Sequence, residues 1–213
     1  MTETPSPRTR VRVTDSKHRL FSASMELIGT RGHREVSVDE IAKAAGVSKG
    51  TVYYNFGSKG ELIGELLNYG AAILFERLED GARDADADRG LRLMVSGALE
   101  FIAEYPSFAQ LWISEQWQAQ SEWAAALAQM RHEVISLVRT ALGRMAADGP
   151  PAPGSPAVDL DALATAVFGA ALILGRDRHV FHPERSVESC VDAVMAFTAP
   201  LRQVPERPAE QPR

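Results

Sequence analysis

Apolar residues recur along most of the chain at intervals of three and four, the spacing that gathers them on one face of an α-helix. The first such run joins Leu20, Phe21, Met25, Leu27 and Ile28. Thr14 or Asp15 offers an N-cap ahead of it and Gly32 a stop behind it, which predicts a helix to about Arg31. A shorter stripe of Ile41, Ala42 and Ala45 follows Ser37 and Glu40, whose S-x-x-E spacing is that of a capping box. This second helix should begin at Val38 and stop at Gly46, a residue free to take the left-handed conformation. Val47 is placed to plug the corner, Ser48 caps again, and Val52 and Phe56 turn a third short helix inward. Ser58 and Glu61 repeat the S-x-x-E spacing and open a long helix to about Asp80. Its wide apolar face carries Leu62, Ile63, Leu66, Leu67, Ile73, Leu74 and Leu78. Gly64 and Gly70 interrupt it, each at ~1 kcal/mol relative to Ala. Close packing against a neighbour and compliance of the helix both fit such glycines.

Beyond it, the run G-A-R-D-A-D-A-D-R-G at 81–90 is a hydrophilic break between two glycines and predicts a loop. Helical spacing then dominates over about 91–104, 107–119, 121–147, 158–178 and 185–203, with Pro106 and Ser121 starting two of these segments. The Pro-rich run at 149–156 cannot be helical, and the end after Pro205 reads as a frayed tail. No repeat and no convincing alternating strand pattern appears. The fold class expected is therefore all-α: a three-helix N-terminal domain over 14–60 and a helical bundle over 61–203, about nine helices in total. Residues 1–13 are expected to form a disordered basic arm, and 204–213 a flexible tail.

The third helix is distinctive for its polar face. Ser48, Lys49, Thr51, Tyr53, Tyr54 and Asn55 crowd hydroxyls, a cation, an amide and aromatic rings into eight residues. Such groups bond phosphates and base edges, and the helix N-terminus adds oriented N–H donors. Gly50 leaves room for a sugar-phosphate chain to come close. Two short helices joined by a Gly-containing turn make a helix-turn-helix, whose second helix lies in the DNA major groove. Lys49, Thr51, Tyr54 and Asn55 are expected to face the groove. Ser37, Ser48, Tyr53 and Lys59 are expected to hold phosphates and set register.

At these residues the chain resembles the N-terminal DNA-binding domain of TetR-family transcriptional regulators. Ser37, Ile41, Ala42, Ala45, Gly46, Val47, Ser48, Gly50, Tyr53, Phe56, Lys59 and Leu62 stand in register with that family's pattern, over about residues 15 to 63. Asn55 departs from it, where His or Tyr is usual, and so does Gly60, where Glu or Asp is common; which bases are read is thereby left open. The resemblance implies a homodimer on double-stranded operator DNA, most often a repressor, released by a small molecule bound in the helical domain. Residues 94–130 concentrate large side chains, and Met94, Phe101, Tyr105, Phe108, Trp112, Trp117 and Met130 are the candidates to line a largely apolar effector pocket, with a filled core as the plainer reading. Leu163, Val167, Ala170, Leu174, Val187, Val191 and Val194, on the last two helices, are the candidates for the dimer interface, as the family builds it from a four-helix contact. A ligand-independent helix-turn-helix protein of nucleoid type is the alternative.

Charge adds to this picture once it is divided. The net charge is −5, but residues 1–60 hold ten Lys+Arg against six Asp+Glu, and all four lysines (Lys17, Lys43, Lys49, Lys59) lie there. A basic head on an acidic body suits a protein that docks one end on phosphate. No apolar run approaches the ~20 residues that span a bilayer and no signal-peptide core opens the chain, so a cytoplasmic protein without membrane contact is expected. Cys190 stands alone, which excludes an internal disulfide and a Cys-based zinc site. His179 and His182 lack a third ligand, and His132-Glu133 lacks the second His of a zinc-protease helix. No Walker loop, nucleophile elbow or dinucleotide fingerprint is present. Neither catalysis nor a cofactor is expected.

Overall fold

The computed structural model describes the backbone of residues 7–115, 122–147 and 158–201, and the side chains of these from residue 18 on, Pro200 aside. Nine α-helices stand among the described residues, with no strand: α1 (Pro7–Arg31), α2 (Val38–Ala44), α3 (Lys49–Phe56), α4 (Lys59–Arg83), α5 (Ala87–Glu104), α6 (Pro106–Glu115), α7 (Ala124–Ala147), α8 (Leu160–Val180) and α9 (Val187–Met195). A 3-10 turn, Ala196–Leu201, closes the described chain. Among the described residues, no helix is long and apolar enough to cross a membrane.

Helix α1 begins at Pro7, well ahead of the cap expected at Thr14 or Asp15. Proline is at home in the first helical turn, where its missing N–H would have had no partner, and nothing in the following residues breaks a helix. The expected basic arm thus contributes residues 7–13 to α1. The predicted loop at 81–90 shrinks to residues 84–86. Gly81 and Gly90 lie inside helices, and a Cβ on either would strike the other's carbonyl oxygen. These glycines let α4 and α5 cross closely; they do not end them. Asp84 accepts from the Asp86 N–H at 2.9 Å, and Asp86 from the Arg89 N–H at 3.0 Å, so the aspartates cap the turn. Asp84 is also gripped by Arg89 through two bonds of 2.8 Å, which pull its carboxyl below the usual range. Helix α9 ends at Met195 instead of reaching 203, since Pro200 lacks an amide hydrogen and disfavours α geometry before it. Ser121, the Pro-rich run at 149–156 and the tail from 204 lie outside the described residues.

The described chain falls into two compact units: residues 1–74 with 101–131, and 75–100 with 132–213. In the first unit Leu20 and Ile28 of α1, Ile41 and Ala42 of α2, Val52 and Phe56 of α3, and Leu62, Ile63, Leu66 and Leu67 of α4 are buried together with α6 residues Phe108 and Trp112. Met25 and Leu27, expected in the same stripe, are half-buried. The described residues of 101–131, expected in the second domain, thus cluster with the helix-turn-helix. In the second unit Val167 and Ala171 of α8 and Val191 and Val194 of α9 are buried.

Candidate nucleic-acid interface

Helix α2 starts with the expected box. The Ser37 hydroxyl accepts from the Glu40 N–H at 3.2 Å, and the Glu40 carboxylate accepts from the Ser37 N–H at 2.8 Å. Arg31 adds a 2.8 Å bond to the other carboxylate oxygen. The Ser37 backbone N–H, then Arg31 and the Ser37 hydroxyl, hold the Glu40 carboxyl down at about 2, against an ordinary value of 4.5. Gly46 takes φ +65°, and the Val47 N–H closes the turn on Ala42 O at 2.9 Å. Ser48 caps α3 through the Thr51 N–H at 3.1 Å. Gly57, to which the sequence pattern gave no role, ends α3 at φ +71°, with its N–H on Tyr53 O at 2.8 Å. Ser58 then caps α4 through the Glu61 N–H at 3.1 Å. Three helix starts and two left-handed glycines therefore fix a bracket of about twenty residues almost entirely by local bonds.

What α3 offers follows from this frame. Val52 and Phe56 are buried, and the Phe56 ring lies 5.9 Å from that of Phe21, which in turn stacks on Tyr69 at 4.9 Å. The opposite face is open: Lys49 and Gly50 are exposed, Tyr53 is half open, and Tyr54 exposes 90% of its surface. Lys49 Nζ rests on Asp39 Oδ2 of α2 at 2.8 Å, and that bond and charge raise its pKa. Thr51 and Asn55, expected in the groove, are half-buried; Asn55 Nδ2 donates back to Thr51 O at 2.7 Å. Asn55 also borders an open hollow with Glu61 and Glu65, whose carboxylates disfavour phosphate. The Ser37 hydroxyl donates to Glu40 at 2.8 Å, and the Ser48 hydroxyl lies 2.9 Å from that of Thr51, so both are engaged beside their caps and shape the surface. Lys59 is half-buried at the first position of α4. Lys49, Tyr53 and Tyr54 are thus the exposed side chains of α3, and Thr51 and Asn55 are more covered.

The family model for "Bacterial regulatory proteins, tetR family" matches residues 20–66, the stretch that contains this face. Over this stretch the chain is similar to TetR-family regulators. A fatty acid metabolism regulator protein of Bacillus subtilis (strain 168) is 31% identical over 85 residues, 39% of this chain and 44% of that protein. The chain therefore spans less than half the length of that curated relative. Among solved structures, the transcriptional regulator FadR of Bacillus subtilis, in complex with stearoyl-CoA, superposes with a TM-score of 0.71 at 21% identity, covering 85% of this chain and 96% of that one. AibR, in complex with isovaleryl coenzyme A and operator DNA, does so with a TM-score of 0.71 at 20% identity, over 87% and 99%. At such identities these structures establish the fold of the chain, helical domain included.

The residues expected to line an effector pocket distribute differently. Met94, Phe101, Phe108, Trp112 and Met130 are buried. Phe101, Phe108 and Trp112 pack edge-on in series at 5.3 and 6.0 Å, which is core geometry. Tyr105 alone of these described candidates borders a cleft of about 280 Å³, shared with Phe21, Met25, Tyr69 and Pro106. Trp117 lies outside the described residues. Of the expected dimer face, Val167, Val191 and Val194 are buried within the subunit, which removes them from the outward surface. Leu163, Ala170, Leu174 and Val187 are half-buried. The apolar groups that do face out, Ile173 at 60%, Val180, Phe181 at 72% and Phe197, were missed. Helix α8 is apolar or small nearly all round, so its periodicity could not choose a side.

Proposed function

We propose that the protein is a sequence-specific DNA-binding transcriptional repressor that acts as a homodimer and leaves its operator when a small molecule binds the helical part of the chain. The observation that carries this reading is α3: two buried anchors, Val52 and Phe56, hold a short capped helix whose other face presents Lys49, Tyr53 and Tyr54 to solvent. A helix so held fits a major groove, with Lys49 and the helix N-terminus toward phosphate and Tyr54 toward base edges. Two copies are needed to read a two-fold site, and Ile173, Val180 and Phe181 supply an apolar surface suited to a second subunit. The effector site belongs within residues 61–203. Acyl-coenzyme A thioesters are the first class to try, because related regulators are described with stearoyl-CoA and isovaleryl coenzyme A. Release follows from population shift: a ligand that favours badly spaced reading heads lowers operator affinity by that preference.

The test is selection of duplexes from a random pool by the purified chain, followed by titration of the complex with stearoyl-CoA and isovaleryl-CoA. Recovery of a two-fold motif with half-sites a helical turn or a multiple apart, and its release by a thioester, is the expected result. Binding without sequence preference and without response to either thioester would favour the nucleoid-type alternative. Absence of duplex binding at low ionic strength would remove the proposal.

A further inference from the structure

Two points on the chain flank the helix-turn-helix. His33 lies four residues before the Ser37 cap, and Gly60 three residues after the Gly57 stop. Both are held by side chains from the end of α6 and the start of α7, in the same compact unit. Glu115, the last residue of α6, is 3% exposed, and its Oε1 lies 3.3 Å from His33 Nδ1. Trp123 stands edge-on to the same imidazole, with ring centroids 4.9 Å apart at 88°. Its indole Nε1 donates to the carbonyl oxygen of Gly60, in the first turn of α4, at 3.0 Å. Glu122 lies over Gly60 as well, where a Cβ would meet its carboxylate. Gly60 is the position at which this chain departs from its family's usual acidic residue, and the acid is supplied instead from across the fold, beside the positive end of α4.

The physical weight of these contacts comes from where they act. Helices of seven and eight residues are marginal alone, so the pose of α3 is set by what fixes the chain on either side of it. A buried carboxylate and a buried indole N–H are strongly disfavoured without partners, so each holds its partner in place. Here the two partners are the two ends of the DNA-reading bracket.

Resting on the DNA reading above, we infer that Trp123, assisted by Glu115, is a positioning residue for the reading helix: it clasps His33 and Gly60 and so sets the angle at which α3 meets DNA. Trp123 does not sit on the outward face of α3. Its loss should therefore disturb alignment with bases while leaving the attraction of Lys49 for phosphate in place.

The test uses the full chain, the duplex it selects from a random pool, and a duplex of scrambled sequence. Trp123→Phe keeps an aromatic ring against His33 and deletes the donor to Gly60. Affinity for the selected duplex should fall about tenfold, the size of one lost buried hydrogen bond, with scrambled-duplex affinity unchanged. A residue of merely structural importance would lower the melting temperature without changing that ratio. Folded Trp123→Phe with an unchanged ratio overturns the inference. Amide exchange on the wild-type chain gives a second reading independent of the variant's folding. The selected duplex should slow exchange over 122–127, away from the DNA face, and unaltered exchange there also overturns it. A wild-type chain that selects no duplex would instead overturn the DNA reading, and this inference with it.

Discussion

Tyr54 presents 90% of its surface to solvent, two residues from buried Val52 on one side and from buried Phe56 on the other. A residue so exposed contributes little to folding, within about 0.5 kcal/mol on substitution. Tyr54→Ala should leave the melting temperature nearly unchanged while reducing discrimination between the selected and a scrambled duplex by about 1–3 kcal/mol, as loss of a base contact would. Competition binding with both duplexes checks it; equal weakening on both would move Tyr54 from reading bases to holding backbone. Glu40 gives a pH signature at the same scale. Its carboxyl titrates at about 2 in the folded chain against an ordinary 4.5, so the stabilisation is fully present above about 5 and is lost as pH falls toward 2. Thermal melts of wild type and Glu40→Gln should differ at pH 7 and converge as pH drops through that window. A difference that persists undiminished at pH 2 would assign the effect to something other than the carboxylate. The Glu40 cap and the exposure of Tyr54 were readable in the sequence, because a cap spans three positions and a polar face spans one helix. The turn of the Asn55 amide back to Thr51 O was not, because it is a choice of side-chain partner that the pattern does not encode.

At the scale of elements, the two glycines inside α4 separate cleanly. A Cβ at Gly70 would run into the Phe108 ring of α6, whereas one at Gly64 would meet Trp123 Cδ1 at 3.8 Å, an ordinary contact. Gly64→Ala should therefore stabilise by about 0.5–1 kcal/mol through helix propensity, and Gly70→Ala should destabilise by about 1–3 kcal/mol through overpacking. Denaturant midpoints of the two variants would settle it, and stabilisation by both would mean that Phe108 yields more easily than its burial implies. The sequence left these glycines undecided between packing and compliance, and it took Gly81 and Gly90 for loop ends. The reason is the same in each case. Helix starts at Ser37, Ser48 and Ser58 follow from neighbours three residues on, but a close crossing is a property of two segments. No one-dimensional pattern holds both. The aromatics of 94–130 show the same limit: their spacing marks a helix interior, and Phe108 fills the space that Gly70 leaves.

At the scale of the whole molecule, the exposed groups of α8 carry the expectation of a dimer. Ile173→Glu should convert the dimer to monomer in sedimentation and weaken binding to a two-fold duplex far more than to a half-site. A dimer that survives the charge would place the subunit contact elsewhere. The basic head and acidic body were legible from composition alone, but not how one member of the head is already engaged. Lys49 arrives at any DNA with its ammonium resting on Asp39 at 2.8 Å. If the protein reads DNA as proposed, each phosphate competes with that carboxylate for the cation. Stray sites, which offer charge and nothing else, would then be left quickly, while a matched site would add base contacts and retain its visitor. Asp39→Asn should accordingly tighten binding to scrambled duplex by more than to the selected one, as paired titrations at one ionic strength would reveal. The variant would grip DNA harder and find its target more slowly, so a surface ion pair of small energetic worth would be setting how long a search lasts.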